Sequence, residues 1–204
     1  MPPLIYAALP AAMTFALTMS ITPGPNNTML LASGVNFGFR RTLPHMIGIT
    51  FGCMVMMVAI GLGLGQLFER VPTIYMALEA ASVAYLLYLA WKIATSRSLS
   101  IGNSDRRPMT LLQAAAFQWV NPKAWMMTVT GVTAFRLSED LLINSVLLAL
   151  AFAIVSLPSI SIWAAFGVGM RRLLSRTIVL RAFNWTMAAL LVASIAMTFR
   201  HGFE

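Results

Sequence analysis

LLINSVLLALAFAIVSLPSISIWAAFGVGM, residues 141–170, runs for 30 positions without a charged side chain. A helix needs roughly 20 consecutive apolar residues to cross the hydrocarbon core of a bilayer. The stretch therefore reads as a membrane span. The rest of the chain extends that reading. Of its 204 residues 59% are hydrophobic and 10% are charged, and the mean hydropathy is +0.80. A soluble domain carries about 25% charge.

Five further uncharged or nearly uncharged runs flank this one. They are residues 4–21, 42–68, 71–91, 111–135 and 182–199. His45 lies in the second, Glu79 interrupts the third, and Lys123 interrupts the fourth. The expected fold is all-α: a polytopic membrane protein of six transmembrane helices in a single domain. No soluble domain is left over. The apolar N-terminus has no basic leader segment, so it reads as a retained span rather than a signal peptide.

The net charge of +8 does not point to nucleic acid, because its placement follows topology. Ten basic residues fall in the connections after spans one, three and five: Arg40, Arg41, Lys92, Arg97, Arg106, Arg107, Arg171, Arg172, Arg176 and Arg181. Three fall elsewhere outside the spans: Arg70, Arg136 and Arg200. Positive residues favour the cytoplasmic side. Both termini are then expected to face the periplasm, with the basic side near anionic lipid.

The long polar stretch, residues 92–110, reads as a cytoplasmic linker between halves of three spans each, about 1–95 and 108–204. Three is odd, so the second half enters the membrane in the opposite sense. That is the arrangement of inverted repeats in many transporters. Each half also has a proline-bearing interruption, TPGPN at 22–26 and NPK at 121–123. Pro158 lies within span five, so proline alone does not establish the symmetry.

A broken helix frees backbone groups that lipid cannot satisfy, so they must face protein or a polar cavity. The start of a half-helix offers N–H donors and partial positive charge, which suits a carboxylate. Lys123 lies about twelve residues into its span, deep for a side chain that merely snorkels. Glu79 stands well away from either end of its span and is a candidate proton carrier. His45 titrates in the physiological range, but its place beside Arg41 suggests an interfacial position. Asn26 and Asn27 are equally suited to binding an amino-acid backbone and to capping the helix that restarts after TPGP. Gln118 and Asn121 have the same capacity. Asn144 and Ser145 are expected to bond another helix. The glycines of span two are expected to permit close packing. Cys53 reads as a small packed hydrophobe, and the fifteen methionines as gap fillers. No phosphate loop, metal-ligand cluster, cofactor motif or nucleophile triad occurs, so an enzyme is excluded.

TPGPN, the glycines Gly48, Gly52, Gly61, Gly63 and Gly65, AYLLYLAWK at 84–92 and FQWVNPKAW at 117–125 together resemble the LysE/RhtB family of bacterial amino-acid exporters. The resemblance runs over essentially the whole chain. It implies an inner-membrane efflux protein of six spans, a homodimer, driven by the proton motive force. The family motifs carry over onto Pro23, Gly24, Pro25, Asn26, Asn121, Pro122 and Lys123. Some members hold an acidic residue in the second span, where this chain has none. The expected substrate is a small amino acid or derivative. It would be held by Pro23, Gly24, Pro25, Asn26, Asn27, Asn121, Pro122 and Lys123, with Glu79 and His45 coupling to protons. A metal or cation exporter and a non-transporting membrane partner subunit are the alternatives.

Overall fold

The computed structural model describes residues 2–64, 70–95, 107–175 and 177–201. Among the described residues eight α-helices follow one another: α1 (Pro2–Ile21), α2 (Pro25–Phe37), α3 (Phe39–Ala59), α4 (Pro72–Ala94), α5 (Leu111–Gln118), α6 (Pro122–Ala134), α7 (Leu141–Met170) and α8 (Thr177–His201). There is no strand among the described residues. Among the described residues three stretches are long and apolar enough to cross a membrane: Phe39–Leu64, Met76–Ala94 and Leu141–Met170. Ala8–Ile21 and Thr177–Ala193 are apolar but shorter. Much of the expected linker, residues 96–106, lies outside the described residues.

Proline does not by itself break these helices. Pro10, Pro44 and Pro158 sit inside continuous α1, α3 and α7. The first break needs two prolines around Gly24, which remove two donors from three consecutive residues. At the second, Pro122 forces the preceding Asn121 out of the helical region, to φ −99 and ψ 107. The run 111–135 therefore becomes two helices, α5 and α6. Thr110 starts the first of these with a capping box: its side chain accepts from Gln113 N–H, and the Gln113 side chain accepts from Thr110 N–H.

The uncharged run after the first break forms α2, whose 13 residues span only about 20 Å at 1.5 Å per residue. It is too short to cross, and it is buried along most of its length. It lies against α7, α3 and α8. Small residues allow this. A Cβ on Gly34 would strike the Ala164 carbonyl of α7, and one on Gly167 would strike the Leu31 carbonyl of α2. The two backbones are thus in direct contact. Gly48 and Gly52 play the same part between α3 and α5, against Leu111 and Ala115. The packing role expected of these glycines is what they perform.

Helix α3 starts at Phe39, three residues earlier than the apolar run suggests. This start places Thr42, His45, Met46 and Ile49 on one buried face, at helical spacing. The α-helical part ends at Ala59, a π-helical turn covers Ile60–Leu64, and Gly63 takes φ +110, a conformation glycine adopts at little cost. Residues 65–69, the end of the expected second span, lie outside the described residues. Asn144 does not bond another helix. Its Oδ1 accepts from Leu137 N–H at 2.6 Å and Ser138 N–H at 3.2 Å, so it ties the connection entering α7.

Candidate functional site: the crossing of two broken helices

The last turn of any helix leaves carbonyls without intrahelical donors. At the end of α1 these acceptors are met by side chains from distant parts of the chain. Ser20 O accepts from Asn27 Nδ2 at 2.8 Å. Ile21 O accepts from Trp163 Nε1 of α7 at 3.1 Å. Thr22 O accepts from Asn27 Nδ2 at 2.7 Å and from Lys123 Nζ at 2.7 Å. Pro23 O accepts from Lys123 Nζ at 3.2 Å, and Thr22 Oγ1 accepts from the same ammonium at 2.8 Å. The lysine of the second break caps the first. An ammonium also suits the negative end of a helix dipole.

The two breaks are joined again by amides. Asn26 Nδ2 donates to Gln118 Oε1 at 2.8 Å, and Gln118 Nε2 returns a bond to Asn26 Oδ1 at 3.2 Å. Gln118 is 0% exposed. It also donates to Ala114 O at 2.8 Å and accepts from Asn121 Nδ2 at 3.3 Å. The Cys53 thiol reaches the same Oε1 at 3.7 Å. Asn121 Oδ1 accepts from Lys123 N–H at 3.2 Å, capping α6. Asn26 and Asn27 do not cap α2. Gly24 is the N-cap, without a side-chain bond, and the first backbone bond of the helix is Thr28 N–H to Gly24 O at 2.9 Å. Both asparagines are spent across the break instead.

Gly24 has φ 177, extended backbone that any residue adopts. Its requirement is space: a Cβ there would lie 2.7 Å from Lys123 Cδ and 3.2 Å from Nζ. The smallest residue stands where the lysine crosses.

These groups border a small cavity. Gly24, Asn26, Asn27, Asn121 and Lys123 form one part of its wall, and Met54, Met57, Met127 and Phe152 an apolar part. Ser20 and Ser156 also line it and share a hydrogen bond at 2.6 Å. Its water-accessible space is about 50 Å³, three or four waters' worth at roughly 10–15 Å³ each. Among the described residues no carboxylate lines it. Asn27 is 3% exposed, and its Oδ1 has no partner. The cavity thus carries one fixed cation, the positive starts of two half-helices and one spare acceptor inside an apolar shell.

The sequence placed Pro23, Gly24, Pro25, Asn26, Asn27, Asn121, Pro122 and Lys123 as candidates, and the fold brings them to one crossing. It does not bring His45 there. His45 is 2% exposed and lines a second cavity instead, on the buried face of α3 with Thr42, Met46 and Ile49. Glu79 belongs to α4, and its side chain lies outside the described residues. Sequence reasoning missed Thr22, Trp163, Ser20 and Ser156. Thr22 opens the quoted TPGPN motif and the other three are ordinary residues in apolar runs; only the spatial neighbour reveals the use of each.

Residues 17–201 match the family model of the LysE type translocators. The chain belongs to the LysE family. Its members are transporters, not enzymes. A cysteine/O-acetylserine efflux protein of Klebsiella pneumoniae is 33% identical over 185 residues, which is 89% of this chain and 92% of that protein. The protein of that name from Escherichia coli K12 is 31% identical over 186 residues, 90% and 93% of the two chains. The one from Salmonella typhimurium is 33% identical over 147 residues, 70% and 75%. No solved structure matches this chain.

Proposed function

We propose that the chain exports a small zwitterionic amino acid or amino-acid derivative across the bacterial inner membrane in exchange for protons. The observation that carries the reading is the Lys123 ammonium: a cation where two broken helices meet, bordering a cavity that no carboxylate lines among the described residues. Such an arrangement suits a substrate carboxylate, which would compete with Thr22 and Pro23 for the ammonium and meet the free N–H donors at the start of α2. The substrate ammonium would find Asn27 Oδ1. O-acetylserine and cysteine are the first substrates to test, since the efflux proteins similar to this chain are named for them.

The neighbour relations support two inverted halves of three spans each. Helix α1 of the first half packs on α7 of the second, and α5 of the second packs on α3 of the first. Helices α3 and α7 also pair, as do α4 and α8. Rocking of one half on the other would open the central cavity to each side in turn. Basic residues at one end favour a cytoplasmic assignment for it, and periplasmic termini. Glu79 and His45 are the candidate proton carriers.

The test is transport into everted inner-membrane vesicles under an imposed proton gradient. Wild type should accumulate labelled O-acetylserine or cysteine, Lys123→Ala should lose that activity, and Glu79→Gln should transport without responding to the gradient. Unchanged rates and gradient dependence in both variants would refute the mechanism.

A further inference from the structure

A second and larger cavity opens at the basic end of the bundle, between α2, the start of α3, the end of α4, residues 107–109 and α8. Its volume is about 600 Å³, within the roughly 300–1,000 Å³ of small-molecule sites. By the same measure the central cavity holds about 50 Å³. An amino acid fits the outer cavity and not the inner one.

The lining of the outer cavity sorts by charge. Lys92 and Arg107 supply two cations, and no carboxylate lines it among the described residues. His45 also lines it, and neither ring nitrogen has a hydrogen-bond partner. A buried polar ring without partners is costly unless something else meets it. Asn36 donates through Nδ2 to Ala32 O at 2.8 Å, and its buried Oδ1 is left without a partner. The Trp91 side chain completes the wall, and an aromatic face is a further place for an ammonium. Donors and cations for a carboxylate thus stand beside acceptors for an amine. That pairing suits a zwitterion better than a simple anion.

We propose that this outer cavity is a loading site: it captures the exported amino acid at the basic face, Lys92 and Arg107 taking the carboxylate and Asn36 with His45 the ammonium, before the central cavity opens. The proposal rests on the export reading above. Helix α2 connects the two sites physically. Asn26 and Asn27 near its start border the central cavity, and Ser33 and Asn36 near its end border the outer one.

The experiment uses purified full-length protein in liposomes, oriented for entry from the basic face, with O-acetyl-L-serine as the probe and its methyl ester as competitor. Wild type should transport the acid, and the ester should compete at least tenfold more weakly, as expected when a charge-assisted bond to a carboxylate is lost. Lys92→Gln with Arg107→Gln should raise KM about tenfold, leave kcat within twofold, and weaken the preference for acid over ester to what Lys123 alone supports. Both side chains are exposed, so folding is preserved. Asn36→Leu should raise KM for the acid independently. An unchanged KM in the double variant, with wild type active, overturns the loading site and leaves the export reading intact. Wild type that moves no amino acid overturns both. A KM effect that disappears when anionic lipid is replaced by phosphatidylcholine assigns the two cations to lipid headgroups and overturns the loading site.

Discussion

Lys123 and Thr22, 101 positions apart in the chain, are joined by two hydrogen bonds from one ammonium, 2.7 Å to the carbonyl and 2.8 Å to the hydroxyl. The cation of one broken helix thereby neutralises the frayed end of another. Removing it takes a donor from three acceptors, Thr22 O, Thr22 Oγ1 and Pro23 O, and removes the only positive side chain that lines the central cavity among the described residues. Bonds to charged groups contribute about 1.5–3 kcal/mol each. Lys123→Met, which keeps most of the unbranched apolar stem but neither the ammonium nor its charge, should therefore lower the efflux rate by about 10-fold to 100-fold. Timed release of labelled amino acid from loaded vesicles checks this; a rate within twofold of wild type would remove Lys123 from the mechanism.

Gly24→Ala should act through the same lysine. The backbone tolerates the change, because φ 177 is ordinary extended chain. The new methyl would press on Lys123 Cδ, 2.7 Å from the added carbon. The expected result is a several-fold loss of transport at nearly unchanged melting temperature in detergent. A large drop in melting temperature with proportionate loss of transport would instead mark Gly24 as structural.

Asn26 and Gln118 should prove energetically coupled. Each donates to and accepts from the other, so replacing either by leucine strands the partner's amide. The double replacement strands neither. Contacting pairs show coupling of about 0.5–3 kcal/mol. A double-mutant cycle on denaturant unfolding in mixed micelles should return a value in that range. Strict additivity would mean that the amide pair does not hold the two breaks together.

Gly34→Val should be the most damaging change outside the site. Gly34 meets the Ala164 carbonyl directly, and Gly167 returns the contact on Leu31. Overpacking typically costs about 1–3 kcal/mol, and backbone cannot swing aside as a side chain can. The expected outcome is a lower melting temperature and aggregation on size-exclusion chromatography. Gly169→Val, on the same helix but with open space around it, should behave as wild type.

Much of this was legible in the chain. Uncharged runs located the helices because lipid penalises charge along a span, and the Pro-Gly-Pro and Asn-Pro signals located both breaks because their backbone chemistry is local. The convergence of TPGPN and NPK on one crossing agrees with the motif pairing. What the sequence could not display was direction. That His45 faces inward depends on which side of α3 packs against the other helices, and two charges, Arg40 and Arg41, lie inside that helix where the apolar run had not yet begun. That Lys123 seeks carbonyls, and that Asn27 reaches back to Ser20 and Thr22, depends on how the two breaks cross, which composition does not encode. Trp163 reads as one more aromatic in a greasy helix until Ile21 O is found beside its indole.

Helix α7, with its 30 residues, is about 45 Å long at 1.5 Å per residue. A typical hydrocarbon slab is only about 30 Å thick. Such a rod must lean steeply or push its ends among the headgroups, where Arg171 and Arg172 follow its last turn. Since α7 holds α1, α2 and α3 alike, its inclination sets the geometry of everything leaning on it. Membrane thickness then becomes a control variable for this protein: a thin bilayer flattens the mast, a thick one raises it, and the gap between the two kinked segments widens or narrows accordingly.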